Sequence, residues 1–365
     1  MDAYKFLLID LKDLSYKIIK VNKKIHNKYI GGYSMGLYAF KNLIDLSTKP
    51  FGIFSSIFKD VDTVSRTSYI YYENELISSS MGGDFSNLLN AISLDAIILI
   101  NESASLKSIE INDEGVEFYE ASDLKNLNNE ETFDLLAKKY DNFSSVYITK
   151  SAVNENYCSR LINDKEHGIA KGLAYFLYKK NIKSITMKGK KLNKDLNYKE
   201  KKGYINCLAC PIGCKNHYKK TRPTIFDDDL KERIDNYGLD SIALSKAIEY
   251  AKDNLNDTYK IDNLDTETLN SILDKIVENV EPYSSLANGI GYISEDKSDK
   301  NIKKRSNKLV DISKVADSLG ICLFAFENYD LSYIENFVNT YTNIKLTDGK
   351  LEELLTETNT LENSL

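Results

Sequence analysis

Apolar and polar residues alternate from the start of the chain: Tyr4-Lys5-Phe6-Leu7-Leu8-Ile9-Asp10 carries the two-residue period of a half-buried strand, and Tyr16 to Val21 repeats it. Gly31-Gly32 closes this strand pair and opens a helical apolar spacing through Leu37, Phe40 and Leu43. Further strands are predicted at Ser68 to Tyr72, Asp95 to Ile100, Ser145 to Ile148 and Ser184 to Met187, with helices at Glu130 to Tyr140 and Ile169 to Lys180. After Gly203 the period changes: Ile242, Leu244, Ala247, Ile248 and Ala251 recur at helical spacing, and helices are predicted from Thr266 to Val280, Ile312 to Leu319 and Tyr333 to Thr340. The pattern predicts an α+β fold in two domains, a mixed α/β-sheet domain over 1–202 and a mainly α-helical region over 203–365. Ser294 to Lys308, with Lys303-Lys304-Arg305, reads as an exposed charged loop, and no internal repeat is visible.

Composition narrows the class. At 365 residues, 42% hydrophobic and 28% charged, the chain is long enough for two domains and is neither disordered nor membrane-like. A net charge of −6 argues against a nucleic-acid binder, which needs a basic footprint. No apolar run has the length of a bilayer span, and Met1-Asp2-Ala3-Tyr4-Lys5 lacks the form of a secretory signal, so the expected location is the cytoplasm.

Five cysteines are present, and three of them crowd into Cys207-Leu208-Ala209-Cys210-Pro211-Ile212-Gly213-Cys214, a loop punctuated by proline and glycine. An odd count with this spacing points to a metal site rather than a disulfide framework. A [4Fe–4S] cluster needs soft thiolates, usually four, of which one loop commonly supplies all but one. Cys322, after a glycine and a helical pattern in Asp317-Ser318-Leu319-Gly320-Ile321-Cys322, is the better fourth candidate, and Cys158 reads as a structural thiol. Structural zinc prefers two paired knuckles, and an S-adenosylmethionine radical enzyme would reverse the order of the spacings. His217 follows this loop and reads as a polar loop residue, while His26 and His167 read as surface or cap residues.

The Cys-x2-Cys-Pro-Ile-Gly-Cys segment resembles the cluster loop of the aldehyde ferredoxin oxidoreductases, and further segments match in the same order. Asp235-Asn236-Tyr237-Gly238-Leu239-Asp240-Ser241-Ile242 and Asp317 to Cys322 resemble that family's two pterin-contacting segments. Tyr29-Ile30-Gly31-Gly32, Arg66-Thr67-Ser68, Ser80-Met81-Gly82-Gly83 and Lys180-Asn181-Ile182-Lys183 also fit. The resemblance implies a tungstopterin or molybdopterin contacted by Arg66, Ser80, Gly82, Asp235, Leu239, Asp240, Asp317 and Ile321, beside a [4Fe–4S] cluster on Cys207, Cys210, Cys214 and Cys322. It further implies oxidation of a small aldehyde to a carboxylate, with electrons passed to ferredoxin or another redox partner, and it assigns no catalytic acid or base.

The sequence departs from the family in three places. Members are longer, chiefly between the positions of Gly291 and Asp317; Ser80 replaces a usual asparagine; and Glu166 to Leu173 stands where an arginine-bearing glycine-rich segment helps hold the cofactor phosphates, with Lys171 its only cation. A shortened relative that keeps only the cluster, as an electron-transfer or accessory subunit, is the alternative. Lys215, Lys219, Lys220 and Arg222 flank the cysteine loop and would suit docking of an acidic redox partner.

Overall fold

A computed structural model describes residues 3–58, 65–164, 167–188, 224–294, 307–323, 330–341 and 345–365. Cys207, Cys210, Cys214, His217, the flanking Lys215, Lys219, Lys220 and Arg222, and Lys303-Lys304-Arg305 lie outside the described residues.

Among the described residues, the amino-terminal half holds twelve strands in two six-stranded sheets. Strands β1 (Ala3–Asp10), β2 (Ser15–Asn22), β3 (Phe51–Phe54), β4 (Thr67–Tyr72), β5 (Leu76–Met81) and β6 (Ala96–Ile100) lie in the order β2-β1-β6-β3-β4-β5. Strands β7 (Lys107–Asn112), β8 (Gly115–Glu120), β9 (Phe143–Tyr147), β10 (Leu161–Asn163), β11 (His167–Ile169) and β12 (Ile182–Lys188) lie in the order β11-β10-β9-β12-β7-β8. Written from its other edge, the second order reproduces the first strand for strand. Pair directions agree as well: β1–β6 and β7–β12 are parallel, and every other neighbouring pair is antiparallel. Helices fall at the same points, Gly32–Asn42 and Asn129–Lys139 before the third strand of each unit, Phe85–Ala91 and Leu173–Lys179 before the sixth. The domain is therefore a topological duplication that the sequence conceals, because pairing is made by backbone and survives replacement of the side chains.

Alternation builds the core between the sheets. Leu7, Ile9, Phe51, Ile53, Tyr69, Tyr71, Ile97 and Leu99 of the first sheet meet Ile109, Ile111, Val146, Leu161, Ile185 and Met187 of the second in one buried cluster. The opposite face of the first sheet, with Phe6, Leu8, Phe54 and Ile98, packs on Gly32–Asn42 and on Leu361 of the last helix, Lys350–Glu362.

The second half is mainly helical. Asp228–Tyr237, Ser241–Asn254 and Thr266–Val277 bury Leu230, Ile234, Leu244, Ile248, Leu269, Ile272 and Leu273 in a separate cluster. Asp227, Asp240 and Asp265 cap these helices by accepting from the backbone N–H groups of Leu230, Ala243 and Thr268, each worth about 1 kcal/mol. Asn307–Leu319, Leu331–Tyr341 and Lys350–Glu362 form another group, sharing a core with Ile30, Ile57 and Phe58. Among the described residues no helix is long and apolar enough to cross a membrane.

Several local expectations change. The predicted helix Ile169 to Lys180 begins only at Leu173, because Ile169 ends a strand and Lys171 and Gly172 turn at positive φ. A short helix, Lys23–Tyr29, precedes Gly31-Gly32. His26 is buried and stacks on Tyr4 with ring centroids 3.4 Å apart, and His167 is buried in β11, so neither is a surface residue.

Candidate functional site

Two segments of the second half cross onto the two sheet units, and they do so in the same way. Onto the first unit comes Asp317-Ser318-Leu319-Gly320-Ile321-Cys322, where the helix Asn307–Leu319 ends. Ser65 and Ile321 form an isolated antiparallel bridge, and the Arg66 N–H donates to the Gly320 carbonyl at 2.7 Å. Onto the second comes Asp235-Asn236-Tyr237-Gly238-Leu239-Asp240. Ser159 and Leu239 form the corresponding bridge, and the Arg160 N–H donates to the Gly238 carbonyl at 2.8 Å.

Both crossings need glycine. Gly320 has φ +69°, and a Cβ there would lie 2.5 Å from Ser56 Cα; Gly238 has φ +92°, and a Cβ there would lie 2.0 Å from Thr149 Oγ1. A left-handed backbone pressed on a strand end leaves no room for a side chain. Gly32 is packed as closely on the first crossing, with a Cβ position 2.1 Å from the Asp317 carbonyl oxygen.

At the first crossing the predicted residues converge. Arg66 Nε donates to Ser80 Oγ at 2.9 Å, Nη2 donates to the Ser80 carbonyl, and Nη1 lies 3.8 Å from Cys322 Sγ. Ser80 Oγ donates in turn to Asp317 Oδ1 in a short bond, and Ser68 Oγ donates to the Asp317 carbonyl at 2.7 Å. A guanidinium, a hydroxyl, a carboxylate and a thiol thus lie in one chain of contacts. Ile321 is buried in the core and contributes through its backbone, and Gly82 is buried just past β5.

At the second crossing Arg160 Nη1 donates to Asp235 Oδ1 at 2.7 Å. Leu239 is core, and the Asp240 carboxylate is taken by its helix cap at Ala243. Arg160, which the sequence reading passed over, is the residue that engages Asp235. A Ser-Arg pair standing before a strand, present at Ser65-Arg66 and again at Ser159-Arg160, was the available signal.

A buried polar cluster joins the two units. Tyr69 of β4 stands beside Asn163 of β10 and Thr67, and the Asn163 amide also lies against Gly83, whose absent Cβ would be 2.6 Å from Asn163 Oδ1. Among the described residues, the Thr67 and Tyr69 hydroxyls and the Asn163 amide find polar partners of their side chains only in one another. Next to them Asp164 accepts from Ser144 Oγ at 2.8 Å, Ser145 N at 3.2 Å and Asp84 N at 3.3 Å. Burial, reinforced by the Asp84 charge, pushes the Asp164 carboxyl up to about 7.

Among the described residues no group of three or more His, Cys, Asp or Glu is placed to hold a metal ion. Cys322 is the one predicted cluster ligand the structure describes, and it is buried. Cys158 is also buried, and burial pushes its thiol up to about 12, which keeps it protonated near neutrality. The residues present fit a pterin: each crossing offers a guanidinium linked to a carboxylate, donors and acceptors for a ligand rich in both.

The amino-terminal domain is a duplicated sheet unit that closes on two glycine-bearing crossings, each with an arginine and an aspartate. The model of the aldehyde ferredoxin oxidoreductase amino-terminal domain matches residues 6–189, and the chain belongs to that family. Its fold is shared with the active-site complex BamBC of benzoyl coenzyme A reductase in complex with 1,5-dienoyl-CoA, at a TM-score of 0.78 and 14% identity, over 100% of this chain and 88% of that one. No curated protein matches the sequence.

Proposed function

We propose that this oxidoreductase holds a tungsten or molybdenum pterin between the two crossings, carries a [4Fe–4S] cluster on Cys207, Cys210, Cys214 and Cys322, and oxidises a small aldehyde to a carboxylate in the cytoplasm, with ferredoxin as electron acceptor. The observation that supports this best is Arg66, which touches Ser80, and through it Asp317, on one side and Cys322 on the other. When bound, such a pterin supplies the oxygen-transfer and two-electron chemistry of aldehyde oxidation. The chain supplies orientation. Asp317 and Asp235 would accept from ring N–H groups, Ser80 fixes the direction of Asp317, and Arg66 places its positive charge between Ser80 and Cys322. The placing of Asp317 and Cys322 on one short segment keeps the electron path between the two redox groups short.

Anaerobic purification from cells grown with tungstate, followed by metal analysis, tests the proposal. Iron and tungsten together are expected; iron without tungsten or molybdenum overturns aldehyde chemistry and leaves the reading of a cluster-only electron-transfer subunit. Cys322→Ser should abolish or reshape the EPR signal of the dithionite-reduced protein, and an unchanged signal would remove Cys322 from the ligand set.

A further inference from the structure

The two units meet where two short segments face each other: Gly82-Gly83-Asp84, which follows β5 of the first unit, and Asn163-Asp164 at the end of β10 in the second. Gly83, at φ +105°, is pressed on the Asn163 amide, and the Asp84 N–H donates to Asp164 Oδ2 at 3.3 Å. Counting along the strands from Arg66 and Arg160, Asn163 and Asp164 stand where the first unit has Tyr69 and Ile70. By the same count Gly168, opposite Ile162, stands where the first unit has Ser80 opposite Ser68. The Asp164 carboxyl therefore belongs to the second unit alone, and it meets Asp84, the residue that opens the helix Phe85–Ala91.

Both aspartates are buried, Asp84 at 5% exposure and Asp164 at 6%. Two like charges in one buried place repel without the screening of water, so such a pair keeps one proton well above the range in which an exposed aspartate has lost it. Among the described residues, the titratable and charged groups that face the pair come from the strands around it. From β4 come the Tyr69 hydroxyl, which burial keeps protonated, and, just before that strand, Arg66, whose guanidinium is held by Ser80. β9 brings Ser144 and Ser145, β12 brings Thr186 against Ser145, and β11 brings His167 in register with Asn163. The helix Phe85–Ala91 carries no charged residue.

We infer that Asp84 and Asp164 form a one-proton latch between the two units: the pair holds a single proton while Gly82-Gly83-Asp84 is seated on the end of β10, and unseating this segment releases that proton to water. Seating and protonation are thereby linked. The seated form loses ground as pH rises from the ordinary aspartate value of about 4, because the unseated carboxyls have already ionised, and the loss levels off at about 7, where the seated Asp164 carboxyl gives up its proton as well. The latch is a property of the chain alone. Its consequence for the first crossing rests on the pterin reading above: Ser80 and Gly82 lie on the same strand end and turn as Asp84, so a rise in pH loosens the segment that faces the cofactor.

Hydrogen exchange read by mass spectrometry on the full chain, purified without cofactor, tests the latch. The protection factor of the peptide from Ser80 to Leu88 should fall as pH rises from about 5 to about 7, by at most about tenfold per unit for one proton, and then level off. Asp164→Asn should make the profile flat. Asp84→Asn removes the like charge, so Asp164 ionises at lower pH and the decline should end earlier by about one unit or more, leaving protection near neutrality several-fold above wild type. A decline in Asp84→Asn that matches the wild type assigns the titration to Asp164 alone and overturns the latch, as does a wild-type profile independent of pH; these two decide the matter if Asp164→Asn fails to fold. His167→Gln removes the neighbour whose ordinary range lies nearest neutrality and should leave the decline in place, whereas its loss in that variant would hand the titration to His167 and overturn the assignment. Pterin content, read as the fluorescence of the oxidised pterin in anaerobically purified protein, separates the two levels. A pH-dependent latch without pterin sinks the cofactor reading alone, and pterin retained with a pH-independent profile sinks the latch alone.

Discussion

The first sheet unit is closed by Arg66, Ser80 and Asp317, the second by Arg160 and Asp235, and the two closures share an antiparallel bridge, a positive-φ glycine and an arginine N–H bond to that glycine's carbonyl while differing in how the arginine meets the aspartate. With a serine at the β5 position the arginine and the aspartate are linked through a hydroxyl; with Gly168 at the equivalent β11 position they meet face to face. The difference shows what a duplicated fold preserves. The bridge, the positive-φ glycine and the arginine N–H bond are backbone requirements of docking a segment on a strand end, whereas the polar contacts around them are free to be rebuilt.

Substitutions at the paired positions test how far the equivalence extends. The largest effect is expected at the glycines: Gly320→Ala should cost about 3 kcal/mol or more in urea denaturation, because its Cβ meets the backbone of Ser56, which cannot move aside. Gly238→Ala should cost roughly 1 kcal/mol less, since its Cβ meets the Thr149 side chain, which can rotate. An equal or reversed order would break the comparison.

Next come the arginines. Arg66→Met deprives Ser80 of two donors and leaves Asp317 without the positive charge near it, for an expected loss of about 2 kcal/mol. Arg160→Met leaves a partly exposed carboxylate that water can solvate, so a loss of roughly 1 kcal/mol is expected. Urea midpoints for the two variants, measured at one pH, would contradict the contrast if Arg160→Met proved the more damaging.

Two buried charges divide the units by pH. Asp164 corresponds to the apolar Ile70 of the first unit. Its carboxyl is raised to about 7, so between the ordinary aspartate value of about 4 and that point the folded state keeps a proton the unfolded chain has lost. This term withdraws stability as pH rises through that window, and Asp164→Asn should flatten the decline. Lys183, whose carbonyl accepts from Ile148 as that of Asp95 accepts from Ser55, is fully buried, and among the described residues its Nζ has no hydrogen-bond partner. Burial pulls its ammonium down to about 7, so the unfolded chain holds a proton that the folded state has released from there up to about 10.4. That term adds stability as pH rises, and Lys183→Met should remove it and raise stability near pH 7. Denaturant midpoints across the range check both, and parallel curves for wild type and variant would refute either one.

The smallest effect separates a cap from a surface pair. Asp240→Ala removes the cap at Ala243 and should cost about 1 kcal/mol, while Asp274→Ala, which breaks the exposed pair with Arg233, should cost under about 0.5 kcal/mol. Thermal midpoints are sufficient to rank them.

Much of this was legible beforehand, and the reasons are specific. Tyr4 to Asp10 announced a strand because its side-chain period of two is written directly in hydrophobicity, and Thr266 to Val277 announced a helix by the same logic at its own period. Phe51–Phe54, Lys107–Asn112 and Gly115–Glu120 went unpredicted because short strands offer too few positions to show alternation. Arg66, Ser80, Asp317 and Cys322 were named from motifs, and the structure brings these four together; it gives Asp240 a capping role and places Leu239 and Ile321 as core residues.

By itself the sequence determined the alternating mixed-sheet half and the helical half, because hydrophobic period is a local property that neighbouring residues specify, while the segments Asp235 to Ile242 and Asp317 to Cys322 stood out only by their resemblance to a family. The duplication, the equivalence of Arg66 with Arg160 and the exchange of Ser80 for Gly168 were decided only in three dimensions. Strand order and register are set by backbone hydrogen bonds between residues far apart in the chain, and those bonds leave no trace in the side chains.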